Sequence, residues 1–490
     1  MKSCFKEKPS EPEGFSFVVN QKMKDGMMKQ ERSTEMNPLG SAAIPKLLVK
    51  FAVPCVLGMV VSATYNLVDQ IFIGQSVGMY GNAATNVAFP LSITCTAISL
   101  LFGIGGAANF NLSQGRGEPE KARLFVGNAL FLMVLSGVLL SALTLVFLEP
   151  MIYLFGATEQ VAPYAETYVG VTAIGFPFLI LTVAGGHLIR GDGSPAYAMA
   201  CNLVGAVINT VLDPLFLFGL KIGIVGAAWA TVIGQVISGL MVIFYLTRFR
   251  SVKLGADAFR PKASYCRGVV SLGMAPFCNQ LSMMVVQIVL NNSLTHYGSL
   301  SLYGSDIPLA CAGIVSKVNM LFFSVVIGMA QGLQPIVGFN YGAKKYGRVK
   351  EAYLKMVIAA TVVSFCSFIV FQLFPRQIIS VFGEGSEEYV LFAERFFRIF
   401  LFSIFLVGIQ PITSNFFTAI GKPKHGVFLS LTRQIIFFLP LLLLMPMFWG
   451  MDGILFSAPI ADALSAVTAV WMAAREFKRL GEMERAEMIT

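Results

Sequence analysis

The chain has 490 residues, 56% of them hydrophobic and only 13% charged, with a mean hydropathy of +0.71. That balance excludes a soluble globular domain, and the length of the apolar runs excludes a membrane β-barrel, whose strands would read as weak alternating segments of about ten residues. The net charge of +9 could suggest a nucleic-acid surface, but its placement along the chain argues for a membrane orientation.

Residues 1–43 are polar, and the FSFVV stretch at 15–19 is too short for the apolar core of a signal peptide. The segment reads as a disordered cytoplasmic tail, and the natural start could be Met36 instead of Met1. Apolar runs that meet the requirement of about 20 residues per span follow at 46–73, 85–112, 124–148, 165–189, 196–219, 223–247, 268–295, 308–335, 351–374, 391–419, 426–448 and 453–474. The expected fold class is therefore an all-α polytopic membrane protein with twelve transmembrane helices.

With the N-terminus inside, the inner loops carry Arg116, Lys121 and Arg123, then Arg248 to Arg267, then Lys344, Lys345, Arg348 and Lys350, whereas the outer loops offer little beyond Lys221 and Arg376. This positive-inside asymmetry places both termini in the cytoplasm and the chain, multi-pass, in the inner (plasma) membrane.

Sliding the second half onto the first gives matches at a nearly fixed offset. Gly105 and Gly332, Phe155-Gly156 and Phe382-Gly383, and Gly223 and Gly450 all recur at one and the same interval, and Gly193-x-Pro195 recurs as Gly421-x-Pro423. Six spans return the chain to its starting side, so the two copies are parallel lobes related by a pseudo-two-fold along the membrane normal, a transporter architecture with substrate held between the halves. The expected organisation is a tail over 1–43, an N-terminal lobe over 44–250, a cytoplasmic linker over 251–267, a C-terminal lobe over 268–475 and a cytoplasmic tail over 476–490.

Within the first span, YNLVDQIFIG (65–74) sets Asp69 in an apolar run. A charge at that depth costs roughly 2.5 to 17 kcal/mol, so it is a functional candidate by default. The fifth span carries Asp213 in Asn209-Thr-Val-Leu-Asp213-Pro214, at similar depth and in the same lobe. Each carboxylate has an amide about one turn back, Asn66 for Asp69 and Asn209 for Asp213. Pro214 cannot donate to the carbonyl of Thr210, which is left to bind a cation or water. Two carboxylates in a low dielectric cannot both stay charged cheaply, so the pair should hold a proton or a cation, H⁺ or Na⁺. The competing reading is a pair of hydrogen-bonded pins between helices.

The second lobe differs. Its seventh span presents Gln280, Gln287 and Asn291 as a neutral polar stripe that, with Tyr65 of the first span, could line a substrate cavity. Lys317, Arg433 and Asp462 read as candidate buried charge pairs, Lys317 or Arg433 against Asp462, because lone charges there are expensive. Glu394 and Arg398 are four apart on one helix. The eight cysteines form no CxxC pair and read as small core residues, and the three scattered histidines do not suggest a metal. HExxH and P-loop lysine motifs are missing, which speaks against a zinc hydrolase and against ATP as the energy source. No cofactor and no nucleic acid is expected.

The motifs MNPLGSAAIPKLLVKFAVP (36–54), YNLVDQIFIGQSVG (65–78), GIGGAANFNLSQGRG (103–117), IRGDGSPAYAMACN (189–202), LDPLFLFGLKIGIVGAAWAT (212–231) and MAQGLQPIVGFNYGAKKYGRV (329–349) together resemble the MATE (multidrug and toxic compound extrusion) family, in particular its bacterial MepA-like branch. The resemblance implies two six-helix lobes, secondary antiport driven by H⁺ or Na⁺ with alternating access, and export of amphipathic, often cationic compounds. It places Asp69, Asp213 and Asn209 on the family's acidic and polar positions, Thr231 on the sixth-span polar position that joins them, and Pro54 on the first-span proline where the helix can bend. Members of another branch carry acidic ligands in the seventh and tenth spans, where this chain has Gln280, Gln287 and only Glu394. Two other readings stay open: a lipid-linked saccharide flippase of the same general fold, and a passive channel or membrane enzyme.

Overall fold

A computed structural model of the chain describes residues 37–304, 306–381 and 387–489. Among these residues there is no strand. The first half contributes α1 (Ile44–Ser76), α2 (Met79–Gly115), α3 (Pro119–Val146), α4 (Ala162–Gly191), α5 (Pro195–Pro214) and α6 (Ile224–Thr247). Proline opens α1, α3, α4 and α5, where its missing N–H is one of the donors a helix start cannot use anyway. At the far end of α5, Pro214 withholds a donor and the helix widens into a π-helical turn, Leu215–Gly219.

The second half contributes α7 (Ala263–Ser299), α8 (Asp306–Gly342) and α9 (Tyr346–Leu373). The tenth span, α10, is broken into Glu387–Phe400, Ile404–Val407 and Ile409–Ala419. The eleventh, α11, opens with Pro423–Leu431, passes through the π-helical stretch Thr432–Phe438 and ends at Gly450, whose φ of 54° breaks the helix Leu439–Ile489. The remainder, 451–489, is α12. Gly223 takes the same left-handed backbone, φ 65°, ahead of α6, so the two copies begin their sixth span with the same glycine turn.

One expectation needs correction at the chain ends. Residues 37–43, assigned above to a disordered tail, are folded: Asn37 caps the short helix Pro38–Ser41, and Leu39 is buried. Asn340 and Arg348 donate to the Leu39 carbonyl at 2.9 and 3.2 Å, and Arg348 also reaches the Ala42 carbonyl at 2.6 Å. Backbone acceptors facing buried donors hold this segment, a pairing that hydropathy cannot register. At the other end, 476–489 continues α12 as helix, with Glu476 buried against Lys422 and Glu484 bonded to Lys350 at 2.7 Å. The expected FSFVV segment and Met36 lie outside the described residues.

The lobes meet along a seam that repeats with the sequence. A Cβ on Gly115 of α2 would stand 2.1 Å from the Phe339 carbonyl oxygen of α8, and one on Gly342 of α8 would stand 2.3 Å from the Leu112 carbonyl oxygen of α2. Gly342 and Phe339 are the repeat equivalents of Gly115 and Leu112, at the interval that relates Gly105 to Gly332, so each contact is the image of the other. Gly105 and Gly273 likewise press α2 onto α7, as Gly332 and Gly328 press α8 onto α1. All of these approaches fall in the half of the spans nearer the chain ends, and that side is closed.

α1 and α7 are shared between the lobes. Ile44, Leu47, Leu48, Phe51 and Ala52 are buried in one cluster with residues of α8, α9, α10 and α12, whereas Ile73 at the other end of α1 packs with Leu217 and Ala227. Conversely, Val269 near the start of α7 belongs to the cluster built by the first half of the chain. Between them, Asp257 of the linker is held by both arms of Arg123 at 3.0 and 2.6 Å, and this guanidinium keeps its carboxyl below the usual carboxylate range.

Candidate functional site

Asp69 and Asp213 come together. Their carboxyl groups face each other across the packing of α1 on α5. Asp213 is wholly buried and Asp69 half-buried. One turn before Asp213 on α5, the Asn209 amide donates to Asp213 Oδ1 at 3.4 Å and to Thr231 Oγ1 of α6 at 3.3 Å. Asn209, Asp213 and Thr231 thus form one chain of polar contacts, and Asp69 closes it from α1.

Two residues that the sequence did not single out complete the chamber. The Tyr168 hydroxyl on α4 faces Thr231 and lies close to both carboxyls. Gln235, one turn beyond Thr231 on α6, turns its Oε1 inward, where a Cβ on Gly175 would stand only 2.1 Å away. The i, i+4 spacing of Thr231 and Gln235 was a usable signal, whereas Tyr168 is one of 14 tyrosines and its sequence neighbours do not distinguish it. Tyr65 also lies beside both carboxyls.

Three buried oxygens here, Asp69 Oδ1, Asn209 Oδ1 and Asp213 Oδ2, find no donor among the described residues, and neither does Gln235 Oε1 one turn along α6. Buried acceptors without donors are costly, and oxygen-only ligands suit a proton or a hard cation, not a soft metal. Among the described residues no cluster of three or more His, Cys, Asp or Glu exists that could hold a transition metal.

Asn66 does not join this group. Its side chain is exposed, and its amide donates to the Ser62 carbonyl of its own helix at 2.7 Å. A separation of three residues leaves the two side chains only roughly on one face, and here the local carbonyl wins the amide. Pro54 lies inside α1 without ending it.

The second lobe is closed by a salt bridge. Arg433, in the π-helical stretch of α11, donates through Nε to Asp462 of α12 at 2.5 Å, with side-chain exposures of 15% and 6%, and its guanidinium lies 5.0 Å from the Phe323 ring centre. Lys317 does not reach Asp462: it is exposed, and no ion pair to it is found among the described residues. Gln287 donates to Asn291 at 2.9 Å within α7, and Gln280 is half-buried. Glu394 accepts from Arg398 and from Arg376, both at 2.7 Å.

Ten described helices are long and apolar enough to cross a membrane; with the last one split at Gly450 and the broken tenth span added, they give a twelve-span multi-pass membrane protein with a polar chamber inside one of its two repeated lobes. The MatE family model matches residues 54–215 and 278–444, and the chain belongs to that family. It is 25% identical over 432 residues to the multidrug export protein MepA of Staphylococcus saprophyticus, covering 88% of this chain and 93% of that one. In fold it is similar to a crystal structure of MATE in complex with MaL6, with a TM-score of 0.84 at 23% identity over 91% of this chain and 99% of that one. The outward-facing conformation of a multidrug resistance MATE family transporter also superimposes with a TM-score of 0.84, at 23% identity over 90% and 98% of the two chains.

Proposed function

We propose that the chain is a multidrug exporter that moves amphipathic, often cationic compounds out of the cell in exchange for H⁺ or Na⁺. The observation that carries this is the facing pair Asp69 and Asp213, each with a donorless oxygen, beside the donorless Asn209 Oδ1. Two carboxylates at such range exchange one net charge for another at low cost only if a cation or proton comes and goes. A chamber rich in acceptors also disfavours the anionic headgroup a lipid-linked saccharide flippase would carry. The names of the MepA relatives support the multidrug reading.

In this cycle the closed glycine seam corresponds to the outward-open state, with the basic loops and both termini on the cytoplasmic side that the seam shuts. Loading the acid pair changes the balance between outward-open and inward-open states by its differential affinity for the two. A tenfold pH step supplies about 1.4 kcal/mol per proton, and the membrane potential adds about 2.3 kcal/mol per charge per 100 mV. Asn209, Thr231, Tyr168 and Gln235 orient the carboxyls and supply the remaining ligand oxygens, with Tyr65 at the edge facing the substrate path.

The test is efflux of a fluorescent cation from proteoliposomes under separately imposed pH and sodium gradients. Asp69→Asn is expected to uncouple efflux from whichever gradient drives the wild type. Gradient-driven efflux that persists unchanged in Asp69→Asn would refute the coupling assignment.

A further inference from the structure

A second buried polar group lies on the seam, far from the acid pair. Arg190 ends α4, roughly 33 Å along the helix from Tyr168. It is 7% exposed, and its Nε has no acceptor in the protein. Among the described residues no carboxylate pairs with it; the groups beside it are Cys55 of α1 and the buried His187, one turn back. The acid nearest in sequence, Asp192, is already engaged: it accepts from the Tyr245 hydroxyl at 2.8 Å and from the backbone N–H groups of Arg250 and Ser251 at 2.9 Å.

Asn111 of α2 adjoins this end of α4. It is wholly buried, and neither atom of its amide has a partner. A Cβ on Gly191 would lie 3.2 Å from its Oδ1, and a Cβ on Gly338 of α8 would lie 3.1 Å from its Cβ. Gly338 is the repeat equivalent of Asn111, so the group sits where matching positions of the two copies meet across the seam. The second lobe has no counterpart to the charge: at the interval that relates Gly193 to Gly421, Arg190 is matched by Thr418, whose hydroxyl is satisfied by the Ser414 carbonyl at 3.2 Å.

A buried guanidinium without a carboxylate is among the most expensive arrangements a membrane protein can hold, and the Asn111 amide packed on the next residue, Gly191, offers a second donor with a free N–H. We infer that Arg190 and Asn111 form a binding site for one small monovalent anion, a halide or a simple carboxylate, which bridges α4 and α2 beside α1 and α8 and favours the closed seam. One guanidinium sets the charge of the occupant at minus one. An ion that binds only the closed arrangement stabilises it by mass action. The site is independent of the acid pair.

The experiment is thermal unfolding of the purified full-length protein in detergent, titrated with chloride against gluconate at fixed ionic strength, with formate as a second arm. The wild type is expected to gain stability saturably with chloride or with formate, and which of the two saturates at lower concentration identifies the source. Asp69→Asn is expected to keep the response and Arg190→Gln to lose it. Where Arg190→Gln does not fold, Asn111→Ala carries the test: loss of one hydrogen bond to an ion should raise the half-saturating concentration about tenfold or more. A wild type indifferent to both anions, or a response that survives unchanged in Arg190→Gln or in Asn111→Ala, overturns the inference.

Discussion

The two lobes share a plan and differ in what they do with charge. In the first, two carboxylates face each other with Asn209, Thr231 and Tyr168 around them and, among the described residues, no basic side chain paired with them. In the second, Asp462 occupies the position that matches Gln235 at the interval relating Gly223 to Gly450, and Arg433 closes on it at 2.5 Å. The acid moves to the other side of the repeat and acquires a permanent partner. Under the proposed coupling, a duplicated scaffold separates two tasks: one half keeps charge exchangeable, and the other keeps it fixed.

The comparison breaks most visibly at the acid pair. Asp213→Asn is expected to abolish uphill efflux in gradient-loaded proteoliposomes, removing the roughly tenfold drive that each pH unit supplies per coupled proton. Gradient-dependent accumulation equal to wild type would remove the contrast between the lobes. Next in size, Asp462→Ala leaves the Arg433 guanidinium buried and should cost about 3–5 kcal/mol of stability, with Arg433→Met/Asp462→Leu recovering most of it. Unfolding midpoints in detergent read both, and a single variant as stable as the double one would show that the pair is not fixed.

Smaller again is the seam. Gly115→Ala places a methyl where the Phe339 carbonyl stands, so it should cost about 1–3 kcal/mol of the closed arrangement and lengthen distances between spin labels on the two lobes at that face. Asn66→Ala, exposed and bonded only to its own helix, should change efflux by less than about 0.5 kcal/mol in free-energy terms. A collapse of coupling in that variant would return Asn66 to the site. The smallest effect is the pH dependence of the linker. Arg123 holds the folded Asp257 carboxyl below its ordinary value, so the contact contributes above the unfolded pKa and is lost as pH falls through the folded one. Protease nicking of the linker should rise only in that acidic window, and Asp257→Asn should remove the pH dependence.

Much of this was legible in the chain. Asp69 and the Asn209–Asp213 pair stood out because a carboxylate inside an apolar run has few explanations, and the repeat offset showed in glycines whose spacing the seam then used. Asn66 misled because sequence spacing gives a face and not a partner. Lys317 and Arg433 were both candidates for Asp462 on charge, and the structure pairs Arg433 with it while Lys317 is exposed. The sharing of α1 between lobes was invisible, since an apolar helix end reads the same whichever neighbour buries it.

That sharing carries a mechanical implication. The first helix is clamped near its start among residues of the second lobe, yet its far end, bearing Asp69, belongs to the first. Rocking the halves apart cannot leave such a rod undisturbed: it must flex or release one clamp. Pro54, where one rung of the backbone ladder is missing, lies just past the clamped stretch, about four turns before Asp69. The carboxylate proposed to sense the ion and the strap that fastens the opposite lobe are therefore one continuous piece of polypeptide.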